Sequence, residues 1–527
     1  PEIISIENNQ RFEEKLDEYW ARVNFAFPAV RPGSIIEYKY TFSTDYIFFL
    51  KPWFFQHELP TLHSELSVEV PPYLSYNIVK FGARLKQLPA NRLENKWILN
   101  NLPGYKSEKY VFHPEDYAEQ IHFQLLSYEK AKNSISGGYE TVNVLESWDK
   151  LGESVLEDCK FYLNRRKSLE DLLVGVIDPA DSQKDKVRKI FRYVQQHYTW
   201  NNYWSVRPSQ VFNRIESEKT GNSAEINLLL TGLLQQAGLE AAPVLVSTRQ
   251  HGKVVRSFPL LSQFNHLICR VIADKDTILL DAALNDGLQP YFLLPKEDLN
   301  WNGFLLRKDS FEWIDVEPWD GSKNITVLNL DLGNKTGELT IRYEGYAAGD
   351  QRRVFARQNN QYQPFTNAPE IGEQLIKLGN PGSVGQEKYE DPLELTYRFP
   401  LEISDESFFY FSPLSWSHFS EVPFKSPNRY FPIEFDYPYF DNLMITIKLP
   451  ENYHVESKPE SKSIALRFEQ DEGRFIYSIN EINGQVIITS RTNLKQTIFV
   501  PEAYPFVKSF FEQINGKLSE VIVIKKR

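Results

Sequence analysis

The sequence predicts an α+β protein in three consecutive parts: a helix-bearing core over residues 149–316 between two β-rich, sandwich-like segments, 1–148 and 317–527. Three observations predict it. The apolar period is two up to about residue 145, 3.6 from there to about 315, and two again from about 320. A chain of 527 residues exceeds what one hydrophobic core serves. Its 31 prolines, 36 Phe, 28 Tyr and 10 Trp favour strands and turns.

The first part reads as strands. One spans Gly33 to Phe42, with Ile36, Tyr38 and Tyr40 on one side; another runs from Glu65 to the proline at 71; a third covers Ile121 to Leu126. Lys130 to Gly138 reads as a surface loop. In the second part, Ser182 to Tyr198 carries Val187, Ile190, Phe191 and Val194 at helical spacing, with Ser182 as N-cap and Asp185 in the first turn. A second helix runs from Ser223 to about Ala237. Ile226, Leu229, Leu230, Leu233 and Leu234 form its predicted buried face, Asn222 and Glu225 its capping pair, and Gly238 the residue that ends it. Strands follow at Ala242 to Ser247, Leu267 to Ile272 and Thr277 to Asp281. In the third part, strands are centred on Ile341, on Ile445 and Ile447, and on a meander through Leu466, Tyr477 and Ile488. A helix near Glu502 to Ile514 and a strand over Val521 to Ile524 close the chain.

Composition removes several function classes. The net charge of −11 argues against nucleic-acid binding, which needs a basic face. Only Cys159 and Cys269 are present, which excludes a disulfide scaffold and a thiolate-rich metal site; both read as core residues. Nine histidines are scattered without ligand spacing, and His57 with His63, on an extended segment, makes a poor pair. No metal or cofactor is expected. No stretch is long and apolar enough to cross a membrane. The chain starts at Pro1 without methionine and reads as a processed or truncated product.

One constellation has chemical content. Asn222 caps a helix, so Ser223 sits in its first turn, where free N–H groups and the positive end of the dipole favour a developing negative charge. The hairpin around Asp274-Lys275-Asp276 puts His266 within a residue or two of the position opposite Asp281. Cross-strand neighbours are about 5–8 Å apart, so Asp281 can orient the imidazole. A serine in a first turn is more often only a cap, and a histidine or aspartate at a strand end more often an edge residue. Trp200, Trp204 and Arg207 lie on the loop approaching Ser223; core packing for the tryptophans and solvation for the arginine are the plainer roles. Lys184-Asp185-Lys186 and Lys525-Lys526-Arg527 read as solvated charge runs.

Residues 178–305 resemble a bacterial transglutaminase-like module of the papain-like Cys-His-Asp superfamily. The residues that carry the likeness are Asp178-Pro179, Tyr193 to Trp200, Gly221-Asn222-Ser223-Ala224-Glu225, Leu233 to Val244, Phe264-Asn265-His266-Leu267 and Leu279-Leu280-Asp281-Ala282. Arg31 to Tyr38 and Trp53-Phe54-Phe55-Gln56 resemble an N-terminal β domain of unknown function that precedes this core in gram-negative envelope proteins. The resemblance implies catalytic positions at Ser223, His266 and Asp281. It also implies export to the periplasm or cell surface and a protein or peptide partner. Serine stands where the family has its nucleophilic cysteine, and Asn222 where it has aspartate. The thiolate is the nucleophile in Cys-His chemistry, and an alcohol gains little from the same surroundings. The leading reading is therefore a non-catalytic, scaffolding or peptide-binding envelope protein. An active serine hydrolase or acyltransferase using Ser223, His266 and Asp281 is the second, and a mainly structural β protein the third.

Overall fold

Side-chain caps start three of the five helices of the central segment, and apolar spacing seats all five. The structure is a computed structural model and describes residues 11–15, 21–28, 30–36, 47, 50–88, 96–105, 108–132, 138–144, 147–257, 259–284, 287–288, 290–308, 310–358, 362–365, 367–371, 374–387, 389–402 and 408–527. Helices span Trp148–Leu163 (α1), Arg166–Leu173 (α2), Gln183–His197 (α3), Phe212–Glu218 (α4) and Ser223–Gln236 (α5). Ser182 Oγ accepts from the Asp185 amide at 3.1 Å and caps α3, which buries Val187, Ile190, Phe191 and Val194. In α5, Asn222 Oδ1 accepts from Glu225 N at 2.9 Å and Glu225 Oε2 accepts from Asn222 N at 2.8 Å, a reciprocal capping box. Gly238, at φ +83°, follows its C-terminus.

The single buried face expected of α5 is corrected. Every residue from Ser223 to Leu234 is buried, because α1, α2 and α3 pack around the helix and a sheet covers the rest. That sheet is antiparallel throughout. Its strands are Glu240–Val246 (β1), His266–Ala273 (β2), Asp276–Leu280 (β3), Trp301–Leu306 (β4) and Phe311–Val316 (β5), in the order β3-β2-β1-β4-β5. Leu245, Leu267, Cys269 and Val271 face the helices. Val244, Val246 and Ile268 face a smaller cluster with Leu294, Leu299 and Tyr346.

Either side of this unit the described chain is β-rich. Toward the N-terminus, Gln120–Ala131 pairs with Trp53–Phe54, Leu74–Phe81 and Tyr139–Asn143, and Thr61–Ser67 pairs with Lys96–Leu102. The strand expected from Glu65 to Pro71 is thus displaced toward the N-terminus, and the strand expected over Gly33 to Phe42 lies, from 37 on, outside the described residues. Lys130 and Ala131, expected in a loop, still belong to the long strand.

Toward the C-terminus an eight-stranded sheet holds the core. Its centre is Lys323–Asp331 beside Tyr439–Lys448, the one parallel pairing in that sheet. The helix Tyr504–Leu518 buries Val507, Phe510, Phe511, Ile514 and Leu518 against it. The helix Tyr346–Gln358 interrupts the alternation expected there, and buries Ala347, Ala348 and Arg352. Lys525 and Lys526, expected as part of a solvated run, belong to the strand Ile522–Lys526, and Lys525 lies 3.5 Å from Glu456.

Glu434 ties the segments together. Its carboxylate, 1% exposed, accepts from Phe112 N at 2.8 Å, Tyr117 OH at 2.9 Å and Lys253 Nζ at 2.6 Å. Glu434→Ala leaves three donors without their acceptor and is expected to cost about 2–4 kcal/mol locally. Hydrogen exchange at the Phe112 amide measures it; an unchanged rate would show that this junction contributes nothing.

Candidate functional site

Ser223 opens α5, and the preceding loop closes over it. Its Oγ accepts from Ser205 N at 2.9 Å and donates to Ser205 O at 3.3 Å. Its own amide, the donor best placed to steady an oxyanion, is taken by Tyr203 O at 3.1 Å. The side chain is fully buried. The loop is pinned by Glu225, whose carboxylate receives Ser209 N, Ser209 Oγ, Gln210 N and Gln210 Nε2 at 2.8–3.1 Å besides the Asn222 amide.

His266 begins β2 and Asp281 follows β3. The hairpin register, with Cys269 opposite Leu280, brings their side chains together: His266 Nε2 is 3.2 Å from Asp281 Oδ2. Both side chains are wholly buried, not edge residues. The contact lacks the direction of a ring N–H donor, so Nε2 and Oδ2 stay without a hydrogen bond. His266 Nδ1 has no partner either, so no bond joins it to Ser223 Oγ. Ser223 and His266 instead meet through the loop between them. Trp204, between the two residues that hold Ser223, sets its ring edge-on to the imidazole with centroids 4.7 Å apart. Trp200 packs on Trp204 at 4.7 Å. Arg207 turns toward α1, 3.1 Å from Asp158 and bonded to Ser154 Oγ at 3.0 Å.

Two further residues, neither among the positions expected from the sequence, complete the cluster. Asn227, one turn along α5 from Ser223, donates to Asp281 Oδ1 at 2.7 Å and Leu267 O at 2.9 Å, and accepts from Ala282 N at 2.8 Å. It fixes the Asp281 loop to the helix. Its signal in the sequence is an amide inside an apolar run, where a buried polar group needs a partner. Asp298, on the short turn Lys296–Asp298, reaches within 3.7 Å of His266 Nε2 and is also fully buried. Burial and the neighbouring Asp281 charge push the Asp298 carboxyl well above the usual range. Burial opposes the Asp281 carboxylate too, but His266 and the hydrogen bonds from Asn227 and the Ala283 amide outweigh it and hold its pKa below the usual value. Of the two acids, Asp298 keeps the proton.

The remaining candidates are accounted for by packing. Burial pushes the thiols of Cys159 and Cys269 up to about 12, so neither supplies a thiolate. His63 bonds Asn100 Oδ1 at 2.7 Å and lies 3.7 Å from Glu65. A cleft of about 670 Å³ opens beside the cluster, lined among others by Tyr198, Trp200, Ala283, Pro295, Lys296 and Arg353.

Comparisons with known proteins match the chain near both ends and over most of its length. Two families described as domains of unknown function with a solved structure match, DUF3857 over residues 22–106 and DUF3858 over 407–524. The crystal structure of a "putative protease" from Parabacteroides distasonis ATCC 8503 is similar across 90% of this chain and 74% of its own. The TM-score is 0.53 at 13% identity, so the likeness speaks for the fold alone. No curated protein matches. The fold is α+β with β-rich regions.

Proposed function

We propose that the chain is a non-catalytic, transglutaminase-like protein of the cell envelope that uses the core cleft to hold a protein or peptide. Its β-rich segments, 1–148 and 317–527, act as domains flanking the core domain 149–316. Ser223, His266 and Asp281 are the triad-equivalent positions. One observation carries the reading: Ser223 Oγ is buried and bonded to both backbone groups of Ser205, and His266 Nδ1 makes no bond to it. An alcohol must lose its proton to a base during attack, and here its hydroxyl is hydrogen-bonded to backbone and not to His266. The cleft beside the site suits a peptide through its aromatic wall of Trp200 and Tyr198, while Lys296, Asp350 and Arg353 on its rim pair with one another and hold its shape.

The test is covalent labelling of the intact protein. A fluorophosphonate is expected to leave Ser223 unmodified. Ser223→Cys is expected to alkylate slowly with iodoacetamide at pH 6, with no thiol titrating below the ordinary ~8.5, because the site is desolvated and not joined to His266. Labelling of wild-type Ser223 that disappears in His266→Ala would establish the serine hydrolase or acyltransferase instead.

A further inference from the structure

The geometry points to a buried site for one divalent transition-metal cation of the Zn²⁺ type, held by His266, Asp281 and Asp298. Among the described residues this is the one group of three or more His, Cys, Asp or Glu side chains able to converge on an ion, with the ligand atoms within 4.8 Å of one another.

Satisfaction comes first. Five polar atoms in this cluster are buried without a hydrogen-bond partner: His266 Nδ1 and Nε2, Asp281 Oδ2, and both Asp298 oxygens. Buried polar atoms are nearly always paired; the proton on Asp298 can serve Asp281, but both imidazole nitrogens still lack a partner, and an ion that displaces that proton would satisfy all three touching side chains. Among the described residues, neither the nearby Arg nor the nearby Lys side chain fills the role. Arg249 is committed to Asp436 at 2.5 Å, and Lys296 to Asp350 and Asp436 at 2.9 and 3.1 Å.

The spacing fits as well. Zinc bonds to imidazole nitrogen and carboxylate oxygen are about 2.0–2.2 Å, so two ligands on a tetrahedron stand about 3.3–3.5 Å apart. His266 Nε2 stands 3.2 Å from Asp281 Oδ2 and 3.7 Å from Asp298 Oδ1. Neither ring nitrogen is bonded, so Nε2 is free to present its lone pair. The other Asp281 oxygen is already fixed by Asn227 Nδ2 and the Ala283 amide at 2.7 and 2.8 Å, the outer support that orients a ligating carboxylate. One imidazole with two carboxylates suits Zn²⁺ and its first-row neighbours and offers nothing to a thiophilic ion. The cleft reaches Ala283, two residues from Asp281, and Glu297, which adjoins Asp298.

This inference goes beyond the scaffold reading and does not depend on it, because Ser223 is not a ligand. The experiment is metal analysis of the full chain, produced in Zn²⁺-supplemented medium and dialysed against metal-free buffer. One equivalent of Zn²⁺ is expected, replaceable by Co²⁺ with the intense visible bands of a tetrahedral ion. Asp298→Asn, which removes a buried acid without changing shape, is expected to weaken binding about 100-fold or more, as is His266→Gln. Wild-type protein with no bound equivalent would overturn the proposal, and so would binding that both variants leave within a factor of three.

Discussion

Glu225→Gln is expected to free the loop 203–210 from the start of α5, with amide exchange at Ser209 and Gln210 rising about 10²–10³-fold. The carboxylate is the acceptor for five donors. Oε1 takes Ser209 N, Ser209 Oγ and Gln210 N, and Oε2 takes Gln210 Nε2 and Asn222 N. A glutamine amide keeps one oxygen and turns an NH₂ toward the donors that faced the other. At least two donors then lose their acceptor inside a fully buried site. Each orphan costs about 1–3 kcal/mol, and a bond to a charged acceptor is worth more than one to a neutral amide, so about 3–4 kcal/mol is the expected local loss. The consequence reaches Ser223, because the same loop carries Ser205. Placed in the Ser223→Cys background, Glu225→Gln is expected to speed alkylation at 223. Exchange within tenfold of wild type would show that the loop is held by packing with Trp200 and Trp204, not by Glu225.

What the sequence revealed of the site follows from how each residue signals itself. Ser223 and its cap were legible because a capping pair at the mouth of an apolar helix is a local pattern. The meeting of His266 and Asp281 was legible because a tight turn fixes antiparallel register over a few residues. Asp298 was not, since it comes from a turn beyond β3 and joins the cluster only through the fold. Nor was the occupation of Ser223 by Ser205, a backbone contact with no side-chain signature.

The fold divides in the same way. Helices with caps and strands bounded by turns fall within a residue or two of expectation, as α3, α5 and the hairpin β2-β3 show. The helix Tyr346–Gln358 escaped notice because its buried residues, Tyr346 to Gly349 and Arg352, gather in its first two turns and so make no apolar stripe along its length. α5 gave its register but not its depth. Periodicity reports the face turned to one neighbour, and this helix has neighbours on every side.

Asp441 sets the second large expectation, a stability difference that grows with pH. It occupies an inward position on the strand Tyr439–Lys448, in the same row as Leu443, Ile445 and Ile447. Asn324 and Thr492 pair with it across the neighbouring strands, yet Asp441 Oδ2, Asn324 Oδ1 and Thr492 Oγ1 are all without hydrogen bonds. Burial alone raises its pKa from 3.8 to about 7. The folded state therefore keeps a proton that the unfolded chain releases near pH 4. Below that pH the group is neutral in both states and costs nothing. Between about 4 and 7 the unfolded state gains by ionising, so stability falls by about 1.4 kcal/mol per pH unit, and above 7 the loss levels off near 4 kcal/mol. Asp441→Asn removes this dependence while keeping the shape. Denaturant unfolding of both proteins at pH 4.5, 6 and 8 isolates the effect, because every other titrating group cancels in the difference. The variant is expected to gain about 3–4 kcal/mol on wild type between the lowest and highest pH. A difference that stays constant would mean that Asp441 ionises in the folded protein as readily as in water, and the unpartnered oxygens around it would then need a bound water or ion to stabilise the charge.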